Sequence, residues 1–511
     1  MLAKKVNGYA GFTLDAIQTI YFNRAIKLVR PPKALSHIPH VPYFSYMSSL
    51  IKKENTISRN KRFANKLFED PESNGLYLRP NVKGWEVVVT RPEDAKKLLF
   101  KSDIFPKADF TSGIDGTILS KFSRGPNLLF TTGAHWKAQR MVANPAFHRS
   151  APVKLFGELT QKLFRVMDNR ANKTVDITRL MEAWALDAIG LAGFDFDFNA
   201  IENPNSSWVR IYERVDKALV HPFYSFFPKA DKYLLWVLPN RKQAHTDLDI
   251  FLKMIDNVII AKKKALHENK SNKHLENSEK DLLTLMLESE AKGSTLSAKE
   301  LRSNMCVFFA AGHETTANSL AYAIYFMAVN PDVQCKAREE AFKVLGDAQE
   351  DIMPTIEQTK SMDYINAVIK ETLRSHSPAL GTFARKATKD TELGGVLIPK
   401  DTMISMDIFN LHHNPNVWNN PDEFDPSRFL PGGEAEKQIN NGFSWIPFGT
   451  GARQCIGMNF SLIEQRVMLS MMLRKFAWSL PEDSIHKDYL HTTNLVISSA
   501  KDLNINFEKL Y

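Results

Sequence analysis

A chain of 511 residues, 44% of them hydrophobic, can bury a large core, and its three cysteines exclude a disulfide-stapled fold and point to a reducing compartment. The net charge of +9 is a modest excess at this length and comes with no zinc, helix-turn-helix or aromatic-basic pattern, which argues against nucleic-acid binding. An acidic protein partner or an anionic membrane suits that charge better.

In chain order, residues 9–22 (YAGFTLDAIQTIYF) are mostly apolar but are interrupted by Asp15 and Gln18. They fall short of the roughly 20 apolar residues of a bilayer span and lack the small-residue cleavage site of a secretory signal. With Lys4, Lys5, Arg24, Lys27 and Arg30 around them they suit an interfacial helix. Pro31, Pro32, Pro39 and Pro42 then mark a stiff, extended stretch. The expected division is a membrane-associating segment with a proline-rich hinge over residues 1–38 and a single globular domain over 39–511. The polar run 267–281 reads as a surface loop within that domain.

Leu76 to Arg79 and Trp85 to Val89 read as a β-hairpin, and Pro92 to Phe100 as a helix with Thr90 as its cap. Residues 107–127, with glycines, serines and scattered apolar side chains, read as a long loop, and loops that long tend to be functional. Trp136 and Arg140 stand at i, i+4 and share a helix face; the bland reading is a surface cation on an aromatic. Residues 172–264 read as several helices, among which 220–238 is dense in aromatics and suits a partly exposed apolar lid or membrane-touching surface.

Between Asn304 and Val329 the only acidic or basic residue, histidine aside, is Glu314. A charge in the middle of a bilayer is expensive, so Ser297 to Asn330 reads as a long helix buried in a globular protein. Its central polar residues, His313, Glu314, Thr315 and Thr316, need partners or a task. Asp363 to Ser375 is another helix, with Glu371 and Arg374 at i, i+3. Thr391 to Pro399 and Thr402 to Met406 show a hairpin pattern around Gly394 and Gly395, and Thr492 to Ser499 is strand-like.

The stretch Phe448 to Gly457 (FGTGARQCIG) has three glycines in ten residues and precedes a helical pattern from Met458 to Phe476. Cys455 therefore stands just ahead of a helix N-terminus, where free N–H groups and the dipole favour a thiolate. Gly451 and Gly457 permit positive φ or close approach to a flat ligand, and Arg453 offers a forked cation suited to a carboxylate. A thiolate, a close backbone and a carboxylate clamp are what a haem with an axial sulfur needs. The bland alternative is a small buried thiol.

The spacing Phe448-x-x-Gly451-x-Arg453-x-Cys455-x-Gly457 resembles the haem-binding signature of the cytochrome P-450 family. Ala311-Gly312-His313-Glu314-Thr315-Thr316, Trp136-x-x-x-Arg140 and Glu371-x-x-Arg374 with Arg428 resemble further motifs of that family, in its order, and the overall pattern is similar to fungal microsomal members. The resemblance implies a mostly α fold with a smaller β region around a buried haem b. In it Cys455 would be the axial ligand of the iron, Phe448 would shield the sulfur, and Arg453, Trp136, Arg140 and Arg385 would hold the propionates. Ala311 and Gly312 would leave room for a diatomic ligand, Thr315 with Glu314 would manage protons, and Glu371, Arg374 and Arg428 would brace the cysteine loop.

The activity so implied is a monooxygenase inserting one atom of O2 into an apolar molecule such as a steroid, a fatty acid or a foreign lipophile. No flavin or nicotinamide fingerprint is present, so electrons would come from a separate acidic flavoprotein, an NADPH-cytochrome reductase, at the cytosolic face of the endoplasmic reticulum membrane. A haem-thiolate isomerase or dehydratase and a non-catalytic haem-binding sensor are the alternatives, and Thr315 speaks against both.

Overall fold

The computed structural model describes residues 29–511 apart from 53, 70–72, 82–83, 110–113, 124, 170–172, 220, 222, 225–226, 269–275, 277, 291–295, 442 and 494–496. The apolar segment 9–22 lies outside the described residues. The described residues gather into two compact units, those within 1–108 with 381–411 and those within 109–380 with 412–511.

The first unit carries most of the β structure. Leu76–Asn81 and Gly84–Val89 form the expected hairpin, with Leu76 opposite Val89 and Asn81 opposite Gly84. Val87, Val88 and Val89 are all fully buried, the pattern of a strand covered on both faces. Its outer neighbour is Met403–Met406, parallel, with Glu86 beside Met403, and Arg385–Lys386 completes the four-stranded order. The expected hairpin of 391–399 with 402–406 is therefore corrected. Thr391–Leu393 instead turns onto Val396–Ile398, across Gly394 (φ 55°) and Gly395 (φ 75°), a pair of left-handed residues that suits a two-residue turn. Met403–Met406 joins the larger sheet.

The Pro92–Phe100 helix starts as expected, with Pro in its first turn, but Thr90 does not cap it. The Thr90 hydroxyl donates to the Gly75 carbonyl instead (2.9 Å), closing the open end of the hairpin beyond the Leu76–Val89 pair.

The second unit is built around the helix Ala298–Val329, whose N-terminus is closed by a capping box between Ser297 and Glu300. Its side chains are buried on nearly every side, the mark of a helix surrounded by others. The helices Ile177–Phe194, Asp363–Ser375, Pro239–His267 and Met458–Lys475 pack against it. The expected long loop 107–127 contains a short helix, Ile118–Phe122, because Thr117 accepts a hydrogen bond from the Ser120 amide and so caps it.

In the aromatic stretch 220–238 a helix runs Pro228–Tyr233, and Phe223, Phe227, Tyr233 and Trp236 are exposed, Trp236 to 80%. Thr492–Thr493 pairs with Ser499–Ala500, as the strand-like run suggested. Among the described residues no helix is long and apolar enough to cross a membrane.

Candidate functional site

The loop from Phe448 to Gly457 closes on itself through the Cys455 N–H, which donates to the Phe448 carbonyl (2.8 Å). Gly449 (φ 64°) and Gly451 (φ 70°) take the left-handed backbone that makes this possible. A Cβ on Gly449 would meet nothing within 4 Å, so that side of the loop is open. Gly457 serves differently. It has φ −87° as the N-cap of the Met458–Lys475 helix, and a Cβ there would stand 4.0 Å from the Cys455 sulfur.

Burial pushes the Cys455 thiol up, and the Gly457 amide and the Arg140 cation oppose it without reversing it. The thiolate expected from the helix N-terminus alone is thus outweighed by desolvation in the bare protein. Yet the same side chain is exposed. A side chain that is deep in protein and still accessible faces an internal hollow. Ala311, in the middle of the otherwise buried Ala298–Val329 helix, is exposed in the same way.

Three of the expected propionate ligands are brought together at this loop. The Arg453 guanidinium lies 3.9 Å from the centroid of the Trp136 ring and donates to the carbonyls of Thr131 (2.7 Å) and Leu128 (3.3 Å). Arg140 donates to the Gln454 carbonyl (3.0 Å), and burial pulls its guanidinium down against the opposing pull of Cys455. Trp136 is buried. The cation over its ring is Arg453 rather than Arg140, so the bland reading of a surface pair fails. Arg385 belongs to the first unit, where it is buried, donates to the Phe105 carbonyl (2.8 Å) and is pulled down to about 10 by burial. Among the described residues neither the half-buried Arg140 nor the buried Arg385 forms an ion pair, and a desolvated guanidinium without an acid is suited to an anionic group that the protein does not itself provide.

On the long helix, Thr315 Oγ1 donates to the Ala311 carbonyl (2.6 Å), and Asn318 and Ser319 bond back to Glu314 and Thr315 in the same i−4 manner. Such back-bonding loosens and bends a helix locally. The expected room for a diatomic ligand at Gly312 is corrected: a Cβ there would come within 2.9 Å of Ile189 Cδ1, so the missing side chain lets the Ile177–Phe194 helix approach. Ala311 is the small residue on the open side. The Glu314 carboxyl is pushed up to about 8, first by burial and then by Asp216 and Glu182.

Glu371, Arg374 and Arg428 come together as expected. Arg374 grips Glu371 with two hydrogen bonds (2.7 and 2.8 Å), the Asp425 amide donates a third (2.9 Å), and Arg428 Nε stands 3.5 Å away. Sequence reasoning missed a second buried acid. Glu464, on the helix that follows Cys455, accepts from Thr316 (3.1 Å), which also bonds Ser461 (3.1 Å). Burial pushes Glu464 well above the carboxylate range. Its signal was an acidic residue at a core position of a helix.

The residues present fit a haem with an axial sulfur: a thiol facing a hollow, an open glycine side of its loop, and beside it the half-buried Arg140 cation without an acid. The family model for cytochrome P450 matches residues 81–507. The chain is 30% identical over 437 residues to the Protein LUTEIN DEFICIENT 5, chloroplastic, of Arabidopsis thaliana, covering 83% of this chain and 70% of that one. It is 28% identical over 399 residues to Cytochrome P450 4F8 of Homo sapiens, covering 76% and 74%. Among solved structures it is similar to the cytochrome P450DA heme domain, with a TM-score of 0.75 at 23% identity over 93% of this chain and 98% of that one. At that identity the likeness bears on the fold alone.

Proposed function

The chain belongs to the cytochrome P450 family and is an oxidoreductase, a haem-thiolate monooxygenase, and from that premise we propose that it hydroxylates an apolar molecule with electrons from a separate NADPH-dependent flavoprotein reductase. The observation that carries the site assignment is Cys455, deep in protein yet facing a hollow, on a loop clamped by Arg453, Trp136 and Arg140. Cys455 would ligate the iron. Arg453, Trp136, Arg140 and Arg385 would pair with the propionates, Phe448 would cover the sulfur, and Glu371, Arg374 and Arg428 would hold the loop from behind. When bound, the haem supplies oxygen activation, with the thiolate donating the electron density that favours O–O cleavage.

The chain's own groups bind the substrate, exclude water and hold protons. Thr315 presents a hydroxyl beside Ala311 on the open side of the helix, and Glu314, with its raised pKa, stands as a carboxylic acid at neutral pH. The back-bond from Thr315 to Ala311 orients that hydroxyl so that its oxygen can accept a proton or hold a water.

A steroid, a fatty acid or a foreign lipophile is the proposed substrate class, on the strength of the 33 phenylalanines and the exposed aromatics of 220–238. The proposed location is the cytosolic face of the endoplasmic reticulum, with residues 1–38 on the membrane and 39–511 as one haem domain. The competing reading is the chloroplast carried in the name of the Arabidopsis relative. Fractionating the full chain and a form lacking residues 1–30 separates these: microsomal recovery that falls on truncation supports the first.

The test of the site is Cys455→Ala. The reduced, carbon monoxide-bound wild type should show the strongly red-shifted Soret band of thiolate ligation, and the variant should lose that band and most of its haem. A globin-like band in the wild type would overturn the assignment.

A further inference from the structure

Between the short helix Ile118–Phe122 and the helix Gly133–Arg149, the stretch from Asn127 to Thr131 has its backbone held by two asparagines. Asn127 Oδ1 accepts from the amides of Leu129 and Phe130 (3.0 Å each). The Asn127 carbonyl accepts from the Thr131 amide (3.0 Å) and from the Thr131 hydroxyl. The Leu128 amide donates to Asn304 Oδ1 on the long helix (2.8 Å). Four successive N–H groups are thus taken by asparagine oxygens, while the carbonyls of Leu128 and Thr131 receive the Arg453 guanidinium (3.3 and 2.7 Å).

Both asparagines are themselves fixed. Asn127, Asn304, Ser303 and Gln139 are all buried. An oxygen that receives two amides cannot be the NH2 end, so Asn127 Nδ2 is the atom that donates to Ser303 Oγ (3.0 Å). By the same count Asn304 Nδ2 donates to Gln139 Oε1 (3.0 Å) and to the Glu300 carbonyl one turn back (3.0 Å). Turning either side chain over would set donor against donor. A trans peptide points its N–H and its C=O in opposite directions. The Leu129 N–H held by Asn127 therefore aims the Leu128 carbonyl away from Asn127, where Arg453 meets it. The Leu128 N–H held by Asn304 aims the Asn127 carbonyl the other way, where it closes the turn that ends at Thr131. The Trp136 ring, 3.9 Å from the guanidinium, supplies the third side. Two carbonyls and a ring face fix both the plane and the turn of the Arg453 fork.

We propose that Asn127 and Asn304 are positioning residues for Arg453, each aiming one of the two carbonyls that orient its guanidinium toward a haem propionate. Ser303 and Asn304 stand in a buried part of the long helix, where a polar side chain is costly unless it is bonded. Their bonds reach the strip before the Gly133–Arg149 helix, so the long helix sets the direction of a cation carried by the cysteine loop. Without Asn304 the Leu128 amide is left buried and unpartnered. Without Asn127 the Leu128–Leu129 peptide can turn, and its carbonyl leaves Arg453.

This inference rests on the propionate-clamping role proposed for Arg453. Two measurements on the haem-loaded full chain test it apart from turnover: the rate of haem transfer to apomyoglobin and the propionate-bending band in resonance Raman spectra. Arg453→Leu should speed transfer and shift the band. Asn304→Ala and Asn127→Ala should speed transfer about tenfold and shift the band the same way. Asn127→Asp keeps the acceptor for Leu129 and Phe130 and should behave nearly as the wild type. Ser303→Ala, which removes only the partner of Asn127 Nδ2, should act in the same direction by less, and it carries the test where an asparagine variant yields too little holo-protein. In an Arg453→Leu background Asn304→Ala should add nothing to the transfer rate. Additive effects in that double variant, or a band unmoved at Asn304, Asn127 and Ser303 while Arg453→Leu moves it, overturn the positioning role alone. Transfer and band both unchanged in Arg453→Leu would overturn the clamp, and the positioning role with it.

Discussion

Two carboxyl groups, Glu371 buried behind the cysteine loop and Glu314 half-buried on the long helix, meet desolvation in opposite ways. Burial pushes both upward. Glu371 answers with the Arg374 guanidinium in bidentate contact at 2.7 and 2.8 Å, a hydrogen bond from the Asp425 amide at 2.9 Å, and the Arg428 cation 3.5 Å away. Glu314 answers with nothing cationic and gains two further acids. The first arrangement surrounds its acid with cations and fixes a geometry. The second leaves the proton count open near neutrality, which is useless for bracing a loop and useful for moving protons.

The contrast can be broken most forcefully at the paired end. Glu371→Ala strands Arg374 and Arg428 in the interior, and breaking a buried charged pair costs about 3–5 kcal/mol. Holo-protein yield should collapse; normal yield and haem content would show that the network is dispensable. Thr315→Ala acts on the open end and should leave haem content unchanged. Positioned proton transfer contributes about 10²–10⁴-fold, so product per NADPH should fall steeply while hydrogen peroxide rises. Tight coupling in the variant would leave the Thr315 hydroxyl as a helix back-bond and no more.

A subtler difference lies in the pH dependence of stability. Glu314 titrates at about 8 in the folded chain and near 4.5 once unfolded. Between those values the folded state binds the extra proton, so this group's contribution to stability is lost as pH rises from about 4.5 to about 8. Glu314→Gln should flatten the melting temperature against pH in that window, and an unaltered slope would place the titration elsewhere. Smallest of all is Gly312→Ala. The added methyl meets the flexible end of Ile189 at 2.9 Å, so stability should drop by about 1 kcal/mol with turnover largely kept. A selective loss of oxygen-dependent turnover would restore Gly312 to the open side.

Much of the cysteine loop and the central helix was legible because their spacing is local. Phe448, Gly451, Arg453 and Cys455 act within one turn of chain, and the apolar run around Glu314 marks a buried helix by itself. What the sequence hid depends on residues far apart. Nothing near Glu314 announces Asp216 or Glu182. Nothing near Trp136 says that its cation is Arg453 and not the neighbour one turn away. Gly312 was misread because a missing side chain looks the same in sequence whether it admits a ligand or another helix. Thr90 was misread because its hydroxyl had a carbonyl within reach on the hairpin, which outcompeted the cap.

The parallel strand Met403–Met406 carries a consequence for how the chain is made. Its partner Gly84–Val89 leaves the ribosome long before it, with residues 109–380 still to be translated after the first part of that unit is complete. At about 5–20 residues per second that interval is roughly 15–60 s. Throughout it the run Val87-Val88-Val89 offers an unpaired apolar edge to any other strand in the cell. The hairpin with Leu76–Asn81 protects one side only. Nascent chains of this protein should therefore depend on chaperones most strongly between the synthesis of Val89 and that of Met406, whatever the stability of the finished molecule.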